Sequence, residues 1–154
     1  MEVKIINFNK IKVALIEHRG SQEDEYNTVN KLIKWKIENK LFDANKYRNY
    51  GLHYTNPKNT EKYKNKVDFC LSIDFDVIEN EYGIKDGSIP NLRCALARDI
   101  GSRSNNKAIV YLTEEWLPRS GERIANFPII FHYVNVGPNV KPEEMVTDVY
   151  LPLA

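Results

Sequence analysis

ALIEHRGSQEDEYNTVNKLIKW, at residues 14–35, is the stretch that decides how this chain is read, because residues 95–116, ALARDIGSRSNNKAIVYLTEEW, follow the same pattern. Each stretch opens on Ala-Leu and ends on one of the two tryptophans in the chain. The same 81 residues separate Gly20 from Gly101 and Trp35 from Trp116. The sequence therefore predicts one structural unit written twice, with repeats at about 1–78 and about 84–154 within a single domain, 1–154.

The bulk composition excludes several classes of protein. The chain has 154 residues, 42% hydrophobic and 28% charged, which suits one domain of ordinary size. Its net charge of +1 gives no global electrostatic case for binding nucleic acid or a membrane surface. Cys70 and Cys94 lack metal spacing and are expected to be free, buried thiols. Charges interrupt every apolar run, so neither a signal peptide nor a bilayer-spanning segment is predicted, and we expect a cytoplasmic protein.

Hydrophobic periodicity predicts an α+β fold with two β-α-β-β repeats. Short turns join the strands, which favours antiparallel pairing. The predicted fold is one antiparallel sheet of two pseudo-symmetric repeats, with two main helices on one face and a groove between them. The predicted strands are 3–8, 12–18, 47–54, 67–77, 93–99, 127–135 and 147–153; the helices are 22–40 and 102–117, and 79–90 is a connecting segment.

The two predicted helices differ in their apolar surface. In the first, Tyr26, Val29, Ile33 and Ile37 recur at helical spacing and form the predicted core stripe. In the second, apolar residues between Ala108 and Leu117 spread around much of the circumference. This distribution predicts that the second helix is buried on more than one side.

Four short motifs together resemble the pattern of a known protein family. They are YGL at 50–52 with NP at 56–57, WLPRSG at 116–121, FP at 127–128 leading to FHY at 131–133, and TDVYLPL at 147–153. In this order and spacing they resemble the GyrI-like small-molecule-binding family, which also supplies the effector-binding domain of AraC-type and multidrug-sensing transcription regulators. The resemblance implies the fold already predicted and a ligand groove between the repeats, often for cationic or amphipathic compounds.

One position departs from the family pattern. Many members carry a glutamate in the strand that corresponds to residues 131–133, and this chain has His132 there. A carboxylate is an anion at neutral pH, whereas an imidazole is mostly neutral and can donate or accept. The departure puts in doubt both the preference for cationic ligands and the hydrolase chemistry found in some members.

A candidate ligand site follows from the repeat offset and from strand alternation. The offset of 81 pairs His132 with Gly51, so one strand offers a polar side chain where the other offers bare backbone. Alternation places His132 with its neighbours two residues away, and His53 with Gly51. The aromatic residues of the helices complete the set. The predicted ligand-binding residues are His132, Trp116, Tyr111, Gly51, His53, Ile130, Val134 and Trp35.

A purely structural interpretation of these residues stays open. His132 can be a hydrogen-bonded core histidine, Gly51 a bulge, and both tryptophans core residues. The lysine-rich segment 58–66 is interpreted as a solvated loop and not as a nucleic-acid patch. No nucleotide-binding or catalytic motif is present, and we expect neither a cofactor nor a metal site.

Three functions compete. The first is a stand-alone module that binds a small amphipathic ligand, and that either sequesters a toxic compound or acts with a separately encoded regulator. Because no helix-turn-helix motif precedes the domain in this sequence, we do not expect a complete AraC-type regulator. The second is a protein inhibitor of DNA gyrase, which the resemblance alone suggests. The third is a hydrolase of reactive small molecules with His132 as general base, ranked last because no second catalytic group is recognisable. We therefore favour binding over catalysis.

Overall fold

The computed structural model of the chain describes residues 1–56, 60–61 and 64–154. It divides into two compact units: the first unit is residues 10–89, and the second unit is residues 1–9 with 90–154. Pro57 of the NP motif lies outside the described residues, as does part of the predicted loop at 58–66. The repeat boundaries predicted at about 78 and 84, and the single domain, stay predictions.

Eight strands are present in the described residues. In chain order they are β1 (Lys4–Phe8), β2 (Ile11–Arg19), β3 (Asn49–His53), β4 (Lys66–Ser72), β5 (Lys85–Ile89), β6 (Leu92–Ile100), β7 (Ile129–Tyr133) and β8 (Val146–Pro152). The first unit orders its strands β3-β4-β2-β5, and the second orders them β1-β6-β8-β7. Every pair within a unit is antiparallel.

Each unit also contains one main helical segment. Helix α1 (Glu25–Glu38) belongs to the first unit. The second helix, as we call residues 107–120 together, consists of α2 (Lys107–Val110), a π-helix (Tyr111–Trp116) and α3 (Leu117–Ser120). Short 3₁₀ turns are found at Gln22–Asp24, Arg103–Asn105 and Pro142–Glu144.

A glycine forms the junction between strand and helix in both units. Gly20 has φ 129° and Gly101 has φ 134°, a backbone region that side chains with a Cβ rarely adopt. The serine that follows each glycine caps the next turn, because the Ser21 and Ser102 hydroxyls accept hydrogen bonds from the backbone N–H groups of Glu23 and Ser104. This junction explains why glycine and serine recur together in the sequence.

Each helix packs on one face of its own strands, which confirms the α+β class. In the first unit, Leu32 and Trp35 of α1 are 5% and 4% exposed and pack on alternate residues of β2 and β4. In the second unit, Ala108 and Leu112 are fully buried against β6 and β8. Among the described residues no helix is long and apolar enough to cross a membrane.

The predicted core stripe of α1 is wrong at three of its four positions, and its fourth residue, Val29, packs against the core of the first unit. Tyr26, Ile33 and Ile37 are 73%, 43% and 56% exposed, and the buried face carries Leu32 and Trp35. Both stripes fit helical periodicity, so spacing alone could not choose between them. In the second helix Val110 is 41% exposed, so its apolar circumference is not buried all round.

The repeat offset also needs a correction. It is 81 residues between β1 and β5 and between β2 and β6, but 80 between β3 and β7 and between β4 and β8. In the pairing registers, Leu52 lies opposite Asp68 as His132 lies opposite Asp148. The position equivalent to His132 is therefore Leu52 and not Gly51. A slip of one residue moves a side chain to the other face of a sheet.

Strand β5 lies inside the segment predicted to be a connection. It pairs with β2 from Ile11 opposite Ile89 to Leu15 opposite Lys85. Its sequence, KDGSI, contains two charges and a glycine and has one apolar side chain, Ile89, which is fully buried. A strand with so little apolar character gives no clear sequence signal.

Candidate functional site

Two predicted ligand-binding residues of β7, Ile130 and His132, lie on the face of the strand that the second helix does not cover. Phe131 packs toward the helix-covered core with its cross-strand partner Val149. Ile130 and His132 alternate with Phe131 and point to the opposite face, where His132 lies opposite Asp148. Ile130 is fully buried, and Val134 beyond the strand end is 41% exposed. Ile130 and His132 thus share one face of β7, as strand alternation predicts. The structure adds that this face lies away from the second helix.

Asp148 connects His132 to a third strand. Arg98 of β6 lies opposite Asp148 and donates from Nε to Oδ1 at 2.7 Å and from Nη2 to Oδ2 at 3.0 Å. The second unit therefore carries a row of His132, Asp148 and Arg98 across β7, β8 and β6. In this row the aspartate is neutralised by a two-point ion pair.

Gly51 and His53 share a face in the first unit, as predicted, and it is the face covered by α1. Gly51 lies opposite Phe69 and His53 opposite Val67, and both partners belong to the core beneath α1. Burial lowers the pKa of His53 from 6.5 to about 4, so the imidazole is neutral at pH 7. His53 is thus a neutral, partly buried histidine on the core face.

The two tryptophans have mainly structural contacts. Trp35 is 4% exposed, and its ring stacks on Phe75 with the centroids 6.2 Å apart. Trp116 is partly buried and packs against the core of the second unit. Tyr111, another of the predicted aromatic residues, lines an open surface depression.

The π-helix changes the spacing of the inward side chains. Leu32 and Trp35 pack inward three residues apart in α1, whereas Leu112 and Trp116 do so four residues apart. A π-turn adds one residue to a turn, and such turns are frequent at functional sites. Here the π-helix spans Tyr111–Trp116, so the extra residue falls where the helix presents Tyr111, Glu114 and Glu115.

The depression has a volume of about 400 Å³ and is open to solvent. This volume lies within the range of small-molecule sites, roughly 300–1,000 Å³. Apolar and aromatic surface comes from Met1, Val110 and Tyr111. The full lining is Met1, Asn105, Asn106, Lys107, Val110, Tyr111, Glu114 and Glu115.

Two glutamates and one lysine contribute the charged side chains that line this depression, beside Met1. Glu114 and Glu115 are exposed and have no ion-pair partner among the described residues. Lys107 is directed to Asp99, because its Nζ lies 3.9 Å from Asp99 Oδ1 and its backbone N–H donates to the same oxygen at 2.9 Å. The combination of a tyrosine ring, apolar surface and unpaired carboxylates suits a cation with an apolar body.

Tyr111 is among the predicted ligand-binding residues, whereas Glu114 and Glu115, which line the same depression, are not. The apolar residues of this helix predict burial on more than one side, and no role is predicted for Glu114 or Glu115. The sequence signal that could have indicated these two residues is an adjacent acidic pair, Glu114 and Glu115, that follows Tyr111 in a segment rich in apolar residues. Within the described residues, no three His, Cys, Asp or Glu side chains form a group that could hold a metal ion.

Comparisons with known proteins agree with this fold. A sequence model of the GyrI-like small molecule binding domain matches residues 1–154. The chain is 35% identical to the probable transcriptional regulator YgiV of Escherichia coli K12 over 155 aligned residues, covering 100% of this chain and 97% of YgiV.

Solved structures show the same fold at low sequence identity. The EcmrR C-terminal domain superposes with a TM-score of 0.75 at 14% identity, covering 99% of this chain and 97% of that domain. SAV2435 bound to tetraphenylphosphonium superposes with a TM-score of 0.60 at 11% identity, covering 100% of this chain and 94% of that protein. The chain belongs to the GyrI-like small-molecule-binding family, whose relatives include proteins named as transcriptional regulators.

Proposed function

We propose that this protein is a stand-alone effector-binding protein whose ligand is an amphipathic organic cation, held on the outer face of the second helix. The observation that carries the proposal is the open depression of about 400 Å³ at the start of the π-helix. The ring of Tyr111 contacts the apolar body of the ligand, and Glu114 and Glu115 attract its charge. The family supports a small-molecule ligand, and YgiV supports a connection to gene regulation.

The partner in this proposal is a transcription regulator encoded separately, and the protein acts in the cytoplasm. Ligand binding changes the surface that the second helix presents, since Val110 and Tyr111 become covered. No contact among the described residues favours DNA gyrase inhibition or hydrolysis. His132 stays a second candidate ligand contact, on the face of β7 away from the helix.

Titration with tetraphenylphosphonium tests the position of the site. This cation is bound by SAV2435, which has the same fold. We expect calorimetry to show saturable binding by the wild-type protein. Binding should weaken about threefold to tenfold for Tyr111→Ala and by a similar factor for the double variant Glu114→Gln/Glu115→Gln, since a cation–π contact contributes about 0.5–2 kcal/mol.

Two control variants keep the titration specific. Tyr26→Ala removes a tyrosine that is 73% exposed on α1, and it should leave the dissociation constant unchanged. His132→Ala examines the alternative contact. Unchanged affinity in Tyr111→Ala combined with weakened affinity in His132→Ala would move the site to β7, and an absence of binding by the wild-type protein would remove the proposal for this cation.

A further inference from the structure

The two units carry different charges at equivalent positions. Across β6 and β8, Arg98 lies opposite Asp148. Across β2 and β4, Glu17 lies opposite Asp68. Glu17 and Arg98 are each the seventh residue of a nine-residue strand, and Asp68 and Asp148 are each the third residue of a seven-residue strand. Where the second unit has an ion pair, the first unit has two carboxylates.

Residues that lie directly opposite each other on antiparallel strands project their side chains to the same face at close range. Like charges in this arrangement destabilise the pair. In the second unit Arg98 satisfies both oxygens of Asp148. In the first unit the residue equivalent to Arg98 is Glu17, which brings a second carboxylate in place of the guanidinium.

Asp68 is 6% exposed, and its Oδ1 has no hydrogen-bond partner among the described residues. Its other oxygen, Oδ2, accepts a hydrogen bond from the Tyr54 hydroxyl at 3.0 Å. A buried carboxylate oxygen without a donor has lost its contact with water and gained no hydrogen bond in exchange, which is unfavourable. The orphaned oxygen is therefore an independent indication that a donor belongs beside Asp68.

The neighbouring lysines do not supply this donor. Lys66 lies over the Tyr54 ring, with its Nζ 4.1 Å from the ring centroid. Lys85 lies 3.9 Å from Glu17 Oε1, and both side chains of that pair are substantially exposed. Access for an outside group is available along Glu17, which is exposed, and beside Tyr54, which is 42% exposed.

We propose that Glu17 and Asp68 bind the guanidinium or primary ammonium group of a small organic cation, which pairs with Asp68 as the Arg98 guanidinium pairs with Asp148 in the second unit. A cation with N–H donors is required because the orphaned oxygen needs a hydrogen bond as well as a charge. The face of the Tyr54 ring not occupied by Lys66 suits an apolar portion of such a ligand. This site is separate from the depression at Tyr111 and does not depend on the function proposed for it.

The test is an NMR titration of the full chain with methylguanidinium, monitored on backbone amides. We expect saturable shift changes at Glu17, Tyr54 and Asp68, with a dissociation constant on the order of 1 mM for so small a probe. Tetramethylammonium has the same charge but no N–H donor, and it should not shift these amides. Equal shifts with both cations would overturn the proposal, as would an unmoved spectrum with methylguanidinium.

Glu17→Arg is the decisive variant, because it builds the internal ion pair that the second unit already has. We expect it to weaken methylguanidinium binding at least about tenfold while raising Tm by about 2 °C. Asp68→Asn should weaken binding comparably. Tyr111→Ala should leave methylguanidinium binding intact, which separates this site from the proposed function. Unchanged affinity in Glu17→Arg would contradict the assignment even if Asp68→Asn fails to fold.

Discussion

Replacing Leu32 with alanine is expected to lower the free energy of unfolding by about 2–5 kcal/mol, while replacing its neighbour Ile33 changes it by less than about 0.5 kcal/mol. Leu32 is 5% exposed within the core beneath α1, so truncation removes buried contacts and leaves a cavity. Ile33 is 43% exposed and has no place in that core. Alanine also has a higher helix propensity than isoleucine, which offsets part of any loss.

Urea denaturation of the two variants measures this difference. Leucine and isoleucine are isomers, and the two positions are adjacent in one helix, so each variant is the control for the other. The slope of the unfolding free energy with urea should be the same for both and for the wild-type protein. Equal destabilisation by the two substitutions would show that α1 does not pack through Leu32.

Acidification from pH 6.5 to pH 4 is expected to destabilise the protein through His53. Burial lowers the pKa of this imidazole to about 4 in the folded protein, whereas the unfolded chain has the ordinary value of 6.5. Between these values the unfolded state binds the proton more strongly. The stability contributed by neutral His53 is therefore complete above pH 6.5 and lost as the pH falls toward 4, by at most about 3 kcal/mol because the side chain keeps some solvent contact.

His53→Gln isolates this contribution from the other titrating groups. We expect the stability of the wild-type protein to fall more steeply than that of the variant between pH 6.5 and pH 4, and the two curves to run parallel above pH 7. Chemical denaturation at a series of pH values provides both curves. Parallel curves across the whole range would show that His53 titrates normally in the folded protein.

The sequence predicted the architecture of each unit well, because the signals were local. Glycine and serine at positions 20–21 and 101–102 specify the strand-to-helix junction, and β2 and β6 are rich in apolar residues at alternating positions. The same pattern could not place β5, whose only buried apolar residue is Ile89. A strand of this kind is defined by its partner β2 and not by its own composition.

The candidate site was less predictable, because it depends on one-residue shifts. The Gly–Trp spacing holds at 81 residues, yet β3 and β7 are related by 80, which moves the equivalent of His132 from Gly51 to Leu52. The π-helix adds a residue within the second helix and alters which side chains face outward. Periodicity of 3.6 residues cannot reveal such an addition, so Tyr111 was predicted and Glu114 and Glu115 were not.

A map of backbone amide shifts in the wild-type protein during titration with tetraphenylphosphonium tests the position of the ligand site most directly. The proposed function predicts saturable changes concentrated at residues 105–115, around Tyr111, Glu114 and Glu115, with residues 130–134 largely unmoved. Changes concentrated at Ile130 and His132 instead, or a spectrum that the cation leaves unaltered, would contradict a ligand site on the second helix.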